Sequence, residues 1–129
     1  MRSGERIIGM AIEVRRHLGH GLLESAYEEC LCFELSEASL PFRRQVPLPV
    51  AYKGVQLDCG YRMDTVVDRK IVLEIKAIEK VLPIHKAQLL TYLRLSRLRV
   101  GLIMNFTSVV LKDGCTAWSC ELCIFVSLW

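Results

Sequence analysis

Asp64, Glu74 and Lys76 follow one another in the order D-x9-E-x-K, inside two apolar segments, YRMDTVV (61 to 67) and IVLEIKA (71 to 77). Both segments alternate as strands do. Ile71, Leu73 and Ile75 fall to one side of the second segment, and Val72, Glu74 and Lys76 to the other. Asp64 shares a face with Arg62 and Val66. Asp68-Arg69-Lys70 between the segments reads as a hairpin loop. If Val67 faces Ile71 across that loop, Asp64 lies opposite Glu74. Two facing carboxylates repel, and their apolar strand neighbours make desolvation costly. A divalent cation held between them removes both objections. Oxygen-rich sites with few carboxylates suit Mg²⁺, with Mn²⁺ as a substitute, because that ion keeps several waters and accepts phosphate oxygens. Lys76 emerges beside Glu74, where an ammonium orients or helps deprotonate an attacking water and balances charge on a phosphate. Taken alone, the spacing is better read as a solvated sheet face with cross-strand ion pairs.

Two further elements direct polar groups from apolar faces. Gln88 and Tyr92 are four residues apart and share a helical face, with Ile84 and Leu95 continuing the stripe. A glutamine there needs partners for its amide. In GLLESAY (21 to 27), Glu24 leads a stripe that continues through Tyr27, Leu31, Leu35 and Ala38. That stripe should face a core. By itself Glu24 reads as a first-turn acid favoured by the helix dipole.

The elements that carry these residues follow from periodicity. Ile7, Ile8, Ala11, Ile12, Val14 and Leu18 recur at helical spacing, so residues 5 to 18 form a first helix, stopped by Gly19 and Gly21 around His20. A second helix runs from about Leu22 to Ser39, ahead of Pro41. In QVPLPVAY, Val46, Leu48 and Val50 lie to one side, and Pro47 and Pro49 confine the segment to a sheet edge. Residues 53 to 55 make a turn, VQLDC a short strand, and Gly60 a break. Pro83 opens a third helix, 83 to 96. RVGLIMNF (99 to 106) is a buried strand, and Ser108 to Leu111 a further short one. The order is α-α-β-β-β-(β)-α-β, an α/β fold with a mixed central sheet flanked by helices.

Glu24, Asp64, Glu74-Ile75-Lys76 and Gln88-Leu89-Leu90-Thr91-Tyr92, in that order, resemble the PD-(D/E)XK nuclease superfamily, and the Gln-x-x-x-Tyr element is similar to its RecB-like branch. Gly21, Glu24 and Tyr27 resemble the motif of the GxxExxY protein family. QVPLPVAYKGVQLD, LEIKAIEK, QLLTYLRL and GLIMNF are also similar to that family, and the likeness covers roughly residues 5 to 114. It implies a restriction-endonuclease-like core with its site on one edge of the sheet. Carried over residue by residue, Asp64 and Glu74 are metal ligands and Lys76 is the catalytic lysine. Glu24 is the helix-borne acid that completes or supports the metal site, and Gln88 and Tyr92 position substrate or water. The expected activity is Mg²⁺-dependent hydrolysis of phosphodiester bonds, in DNA rather than RNA. The alternative is a non-catalytic nucleic-acid-binding or dimeric interaction module that keeps the fold.

The chain has 129 residues, 52% hydrophobic and 24% charged. That suits one folded domain and excludes disorder. We place the nuclease-like domain at 1–114. The net charge of +3 permits a nucleic-acid partner without demanding one. Arg43, Arg44, Lys53, Arg62, Lys80, Lys86, Arg94, Arg97 and Arg99 are available for phosphate contacts. No signal sequence or membrane span is legible. The expected location is therefore cytoplasmic, with the six cysteines reduced. After Gly114 comes an apolar tail, 115–129, with Cys115, Cys120 and Cys123. The C-x4-C-x2-C spacing is close to iron–sulfur patterns, but a fourth ligand from Cys30 or Cys32 would leave a helix interior, so no cluster is expected. The free tail would expose apolar surface, which fits a homodimer or a partner protein. His17 and His20 read as helix-end residues. His85 stands one turn before Gln88.

Overall fold

Ser3–Leu18 forms α1, with Glu5 in its first turn and Arg15, Arg16 and His17 in its last, a charge order that suits the helix dipole. The structure, a computed structural model, describes residues 3–19 and 21–107, and the backbone of 123–127. His20, Cys115, Cys120 and the strand expected at 108 to 111 lie outside the described residues. Glu24–Glu37 forms α2. It starts two residues later than the periodicity suggests, because Leu22 and Leu23 are left exposed in the link between the helices. It ends where Ser39 takes a left-handed conformation (φ 56°). The Leu40 N–H then reaches back to the Leu35 carbonyl at 3.0 Å, which closes the helix in a Schellman turn ahead of Pro41.

Among the described residues five strands make the central sheet. Phe42–Pro47 is β1, Arg62–Val67 is β4, Ile71–Lys76 is β5, Val100–Asn105 is β6 and Cys123–Ser127 is β7. Their order is β1-β4-β5-β6-β7, and only the β5–β6 pairing is parallel. The sheet is thus mixed and the fold α/β. The proline-containing β1 lies at the sheet edge, as its missing donors require. Residues 123–127, which the sequence places in a tail, form a strand against β6. The two remaining strands, Val50–Tyr52 (β2) and Val55–Leu57 (β3), pair with each other in a separate two-stranded sheet. Their turn residues Lys53 and Gly54 both have positive φ, as a tight hairpin requires.

Each face of the sheet carries its own core. On one side Ile7, Ala11, Tyr27, Leu31 and Leu35 of the helix pair pack on Val67, Ile71, Leu73, Ile75, Leu102 and Met104. The rings of Tyr27 and Phe106 stack nearly parallel, 4.5 Å between centroids. On the other side Leu89, Tyr92 and Leu93 of α3 (Pro83–Ser96) pack on Val66, Val72, Ile103, Leu48 and Met63. The crossover from β5 through α3 to β6 is the connection that parallel strands need. Among the described residues no helix is long and apolar enough to cross a membrane.

Helix α3 packs tightly on β6 at Gly101. A Cβ there would meet the fully buried Leu89 side chain at 2.8–2.9 Å. Gly101→Ala is therefore expected to lower stability by roughly 1–3 kcal/mol through overpacking. Urea unfolding of the two proteins checks this.

Candidate active site

The hairpin between β4 and β5 has the register that its three-residue loop implies. Val67 pairs with Ile71, Val66 with Val72 and Thr65 with Leu73. There the ladder stops, one step short of Asp64 and Glu74. On the other side of β4, Arg44 pairs with Thr65 and Val46 with Met63, while Gln45 between them has φ 50° and is skipped. Asp64 thus sits at a kink where neither neighbouring strand makes a regular pair with it. The two acids bridge the gap instead. Asp64 Oδ2 accepts the Ile75 N–H at 2.9 Å, and Glu74 Oε1 accepts the Asp64 N–H at 3.4 Å. Each carboxylate takes a backbone donor of the opposite strand, and this holds the two together.

Burial makes this pair reluctant to carry two charges. Glu74 is only 6% exposed. Desolvation, and after it the charge of Asp64, pushes the Glu74 carboxyl up to about 8. The two carboxyl groups lie close enough for one to hydrogen bond to the other when protonated. Asp64 is also pushed up, chiefly by desolvation, with Glu28 and Glu24 adding to the effect and the Ile75 N–H and Lys76 opposing it. Lys76, half-buried at the end of β5, lowers both groups. Its attraction does not offset the burial.

The strand end that carries Lys76 is fixed from two directions. The Asn105 side chain, 3% exposed, donates to the Ile78 carbonyl at 2.8 Å and accepts the Ile78 and Thr107 N–H groups at 3.1 and 3.3 Å. From above, Glu24 Oε1 accepts the Ala77 N–H at 3.3 Å. Asn105→Leu would strand three backbone groups, so we expect a loss of about 3 kcal/mol. Denaturant unfolding measures it.

GLLESAY now has a geometric account. Gly21 turns the chain with φ 97°. The Tyr27 hydroxyl donates to the Gly19 carbonyl at 2.8 Å and accepts the Leu22 N–H at 3.2 Å. The link is clamped onto the first turn of α2, and Glu24 is delivered to the end of β5. Its side chain is exposed and within electrostatic range of Asp64. Even so, among the described residues no group of three or more His, Cys, Asp or Glu side chains is arranged to hold a metal. The donors brought into direct contact are two, Asp64 and Glu74.

Gln88 and Tyr92 do come together. The Gln88 amide donates to the Tyr92 hydroxyl at 2.9 Å. Burial raises the Tyr92 phenol, and the charges of Glu74 and Asp64, within electrostatic range, raise it further. The stripe does not continue as expected at Ile84, which is 67% exposed. His85 caps α3: its Nδ1 accepts the Leu82 N–H at 2.8 Å. Leu82, at the N-cap, has no side-chain acceptor to return that bond. His17 is likewise a helix-end residue, bonded to Glu13.

Periodicity overlooks two neighbours. Glu28, one turn beyond Glu24, raises Asp64 more than Glu24 does. It is tied to Arg44 at 3.1 Å and to Gln45 at 3.4 Å. Arg44 also bonds Glu29 at 2.8 Å, so this arginine is engaged within the protein rather than available to phosphate. Tyr61 lies beside Tyr92, ring centroids 6.0 Å apart, and is 43% exposed. An i, i+4 spacing from Glu24 was the one signal for Glu28. Tyr61 carried none.

The donor set fits a hard divalent cation. Two carboxylates with raised proton affinity share the space that a cation would take, and oxygen ligands of this kind suit Mg²⁺ or Mn²⁺. A family model described as the PD-(D/E)XK nuclease superfamily matches residues 2–117. No curated protein and no solved structure matches the chain.

Proposed function

This chain belongs to the PD-(D/E)XK nuclease superfamily, and from that premise we propose that it is a metal-dependent nuclease that hydrolyses phosphodiester bonds in DNA. The observation that carries the reading is the buried Asp64–Glu74 pair, with its raised proton affinity and Lys76 alongside. A bare structural ion pair would lower these carboxylates; this one leaves them short of positive charge. The Gly21, Glu24 and Tyr27 spacing supports membership of the GxxExxY family, and the Gln88–Tyr92 pair supports a likeness to RecB-like nucleases.

Asp64 and Glu74 would hold Mg²⁺, which when bound polarises a phosphate and lowers the pKa of a water. Lys76 orients the attacking water and balances the charge that gathers on the phosphate oxygens. Tyr92, fixed by Gln88, presents its hydroxyl to the same space and positions water or substrate. Glu24 holds the Ala77 backbone and adds a negative charge at the rim, where it supports the metal or its waters.

The test is cleavage of single-stranded and duplex DNA with Mg²⁺, Mn²⁺ or EDTA, using wild type and Asp64→Asn. Metal-dependent cleavage that the variant lacks is expected. Cleavage that survives in Asp64→Asn removes the site. Binding without cleavage under every condition favours the non-catalytic module instead.

A further inference from the structure

The β2–β3 hairpin presents an apolar face that the described protein does not cover. In its register Val50 pairs with Leu57 and Tyr52 with Val55, so these four side chains share one face. Tyr52 is 59% exposed, Val55 56% and Leu57 44%. An isolated two-stranded ribbon is marginal in water, and one with an exposed apolar face gains by being covered.

Its position relates it to the acid pair. Leu48 at the base is buried beside Met63 and Tyr92, and its N–H donates to the Tyr61 carbonyl at 3.0 Å. Tyr61 closes the excursion and sets its half-exposed ring beside Tyr92, whose phenol is within electrostatic range of Glu74 and Asp64. The excursion thus carries two exposed rings, Tyr52 on the hairpin and Tyr61 beside the buried Tyr92. Its charge is net positive: residues 48 to 62 hold Lys53 and Arg62 against Asp58, and the Lys53 ammonium stands 5.5 Å from the Tyr52 ring centroid.

Exposed rings with lysine and arginine nearby are what unpaired nucleotides bind: bases stack on the rings and phosphates meet the cations. Paired bases present no free π-face. We infer that Tyr61 and the hairpin residue Tyr52 form a base-stacking platform that selects single-stranded DNA and leads it to the Asp64–Glu74 site. This specificity rests on the nuclease reading for its purpose, but binding tests it separately.

The experiment measures fluorescence anisotropy of a labelled oligothymidine and of a duplex of equal length, in EDTA, with wild type, Tyr52→Ala, Tyr61→Ala and Tyr61→Phe. Wild type should prefer the single strand. Each alanine variant should weaken that binding roughly 5- to 100-fold and leave duplex binding unchanged, while Tyr61→Phe keeps the affinity. Equal losses on both DNAs, no loss, or no preference in wild type overturns the platform. So does sedimentation showing a wild-type dimer that Tyr52→Ala dissociates, since the hairpin would then bind a second copy. Selective binding without Mg²⁺-dependent cleavage keeps the platform and sinks the nuclease; cleavage with undiminished binding by the alanine variants does the reverse.

Discussion

Glu74→Gln is expected to raise the melting temperature of the metal-free protein at pH 8 and to abolish cleavage. The sign follows from proton linkage. Folding raises the Glu74 carboxyl from 4.5 to about 8, so between these values the folded state binds protons that the unfolded state has released. Stability then falls as pH rises through that window. Asp64, also raised, adds a contribution of the same sign. Below the ordinary glutamate value both states are protonated and the difference disappears. A glutamine keeps the oxygen that accepts the Asp64 N–H and does not titrate. Each unit of pKa shift is worth about 1.4 kcal/mol, so the gain at pH 8 should be on the order of 2–4 kcal/mol, or about 5–10 °C. At pH 4 the two proteins should melt together. Saturating Mn²⁺ should stabilise wild type by roughly 2–3 kcal/mol at a hundredfold excess over Kd and leave the variant unmoved. Thermal scans from pH 4 to 9, with and without the ion, read all of this. A variant that melts lower than wild type at pH 8 would mean that Glu74 is held as a satisfied structural carboxylate.

The residues behind that expectation were legible because strand geometry propagates. A three-residue loop at Asp68 to Lys70 fixes Val67 opposite Ile71, and a period of two then carries Asp64 to Glu74 without further information. The apolar stripe below Glu24 placed α2 on the sheet in the same way, since Tyr27, Leu31 and Leu35 are all fully buried. Features that depend on one local backbone angle, or on the approach of two elements, left no pattern. Gln45 at φ 50° breaks the ladder beside Asp64, yet glutamine carries no preference for that conformation. Asn105 sits inside an apolar run and reads as an interruption, although it is the side chain that pins the loop after β5. Glu28 acts on Asp64 electrostatically from α2, across an approach of two elements that no residue pattern encodes. The β2–β3 segment alternates like any strand pair, and nothing in the alternation says that it stands apart from the main sheet.

On the proposed mechanism, removing Lys76 should separate chemistry from metal binding. Lys76→Met keeps the stem of the side chain and deletes the charge that lowers both Asp64 and Glu74. Without it the acid pair holds its proton more tightly, so the pH midpoint for cation binding should move upward. Above that midpoint the pair is ionised and no longer shares its field with an ammonium. Mn²⁺ should then bind at least as tightly as in wild type. Cleavage should still fall by roughly 10²- to 10³-fold, the size expected when one donor to a developing oxyanion is lost. Measuring Mn²⁺-induced thermal stabilisation and turnover side by side at pH 7 and pH 9 tells the two roles of the lysine apart. Turnover that stays low at pH 9, with binding intact, makes Lys76 a catalytic group. Turnover that returns to the wild-type rate once the pair is ionised would reduce it to a counter-charge for Asp64 and Glu74, and another group, with Tyr92 the nearest candidate, would have to handle the water.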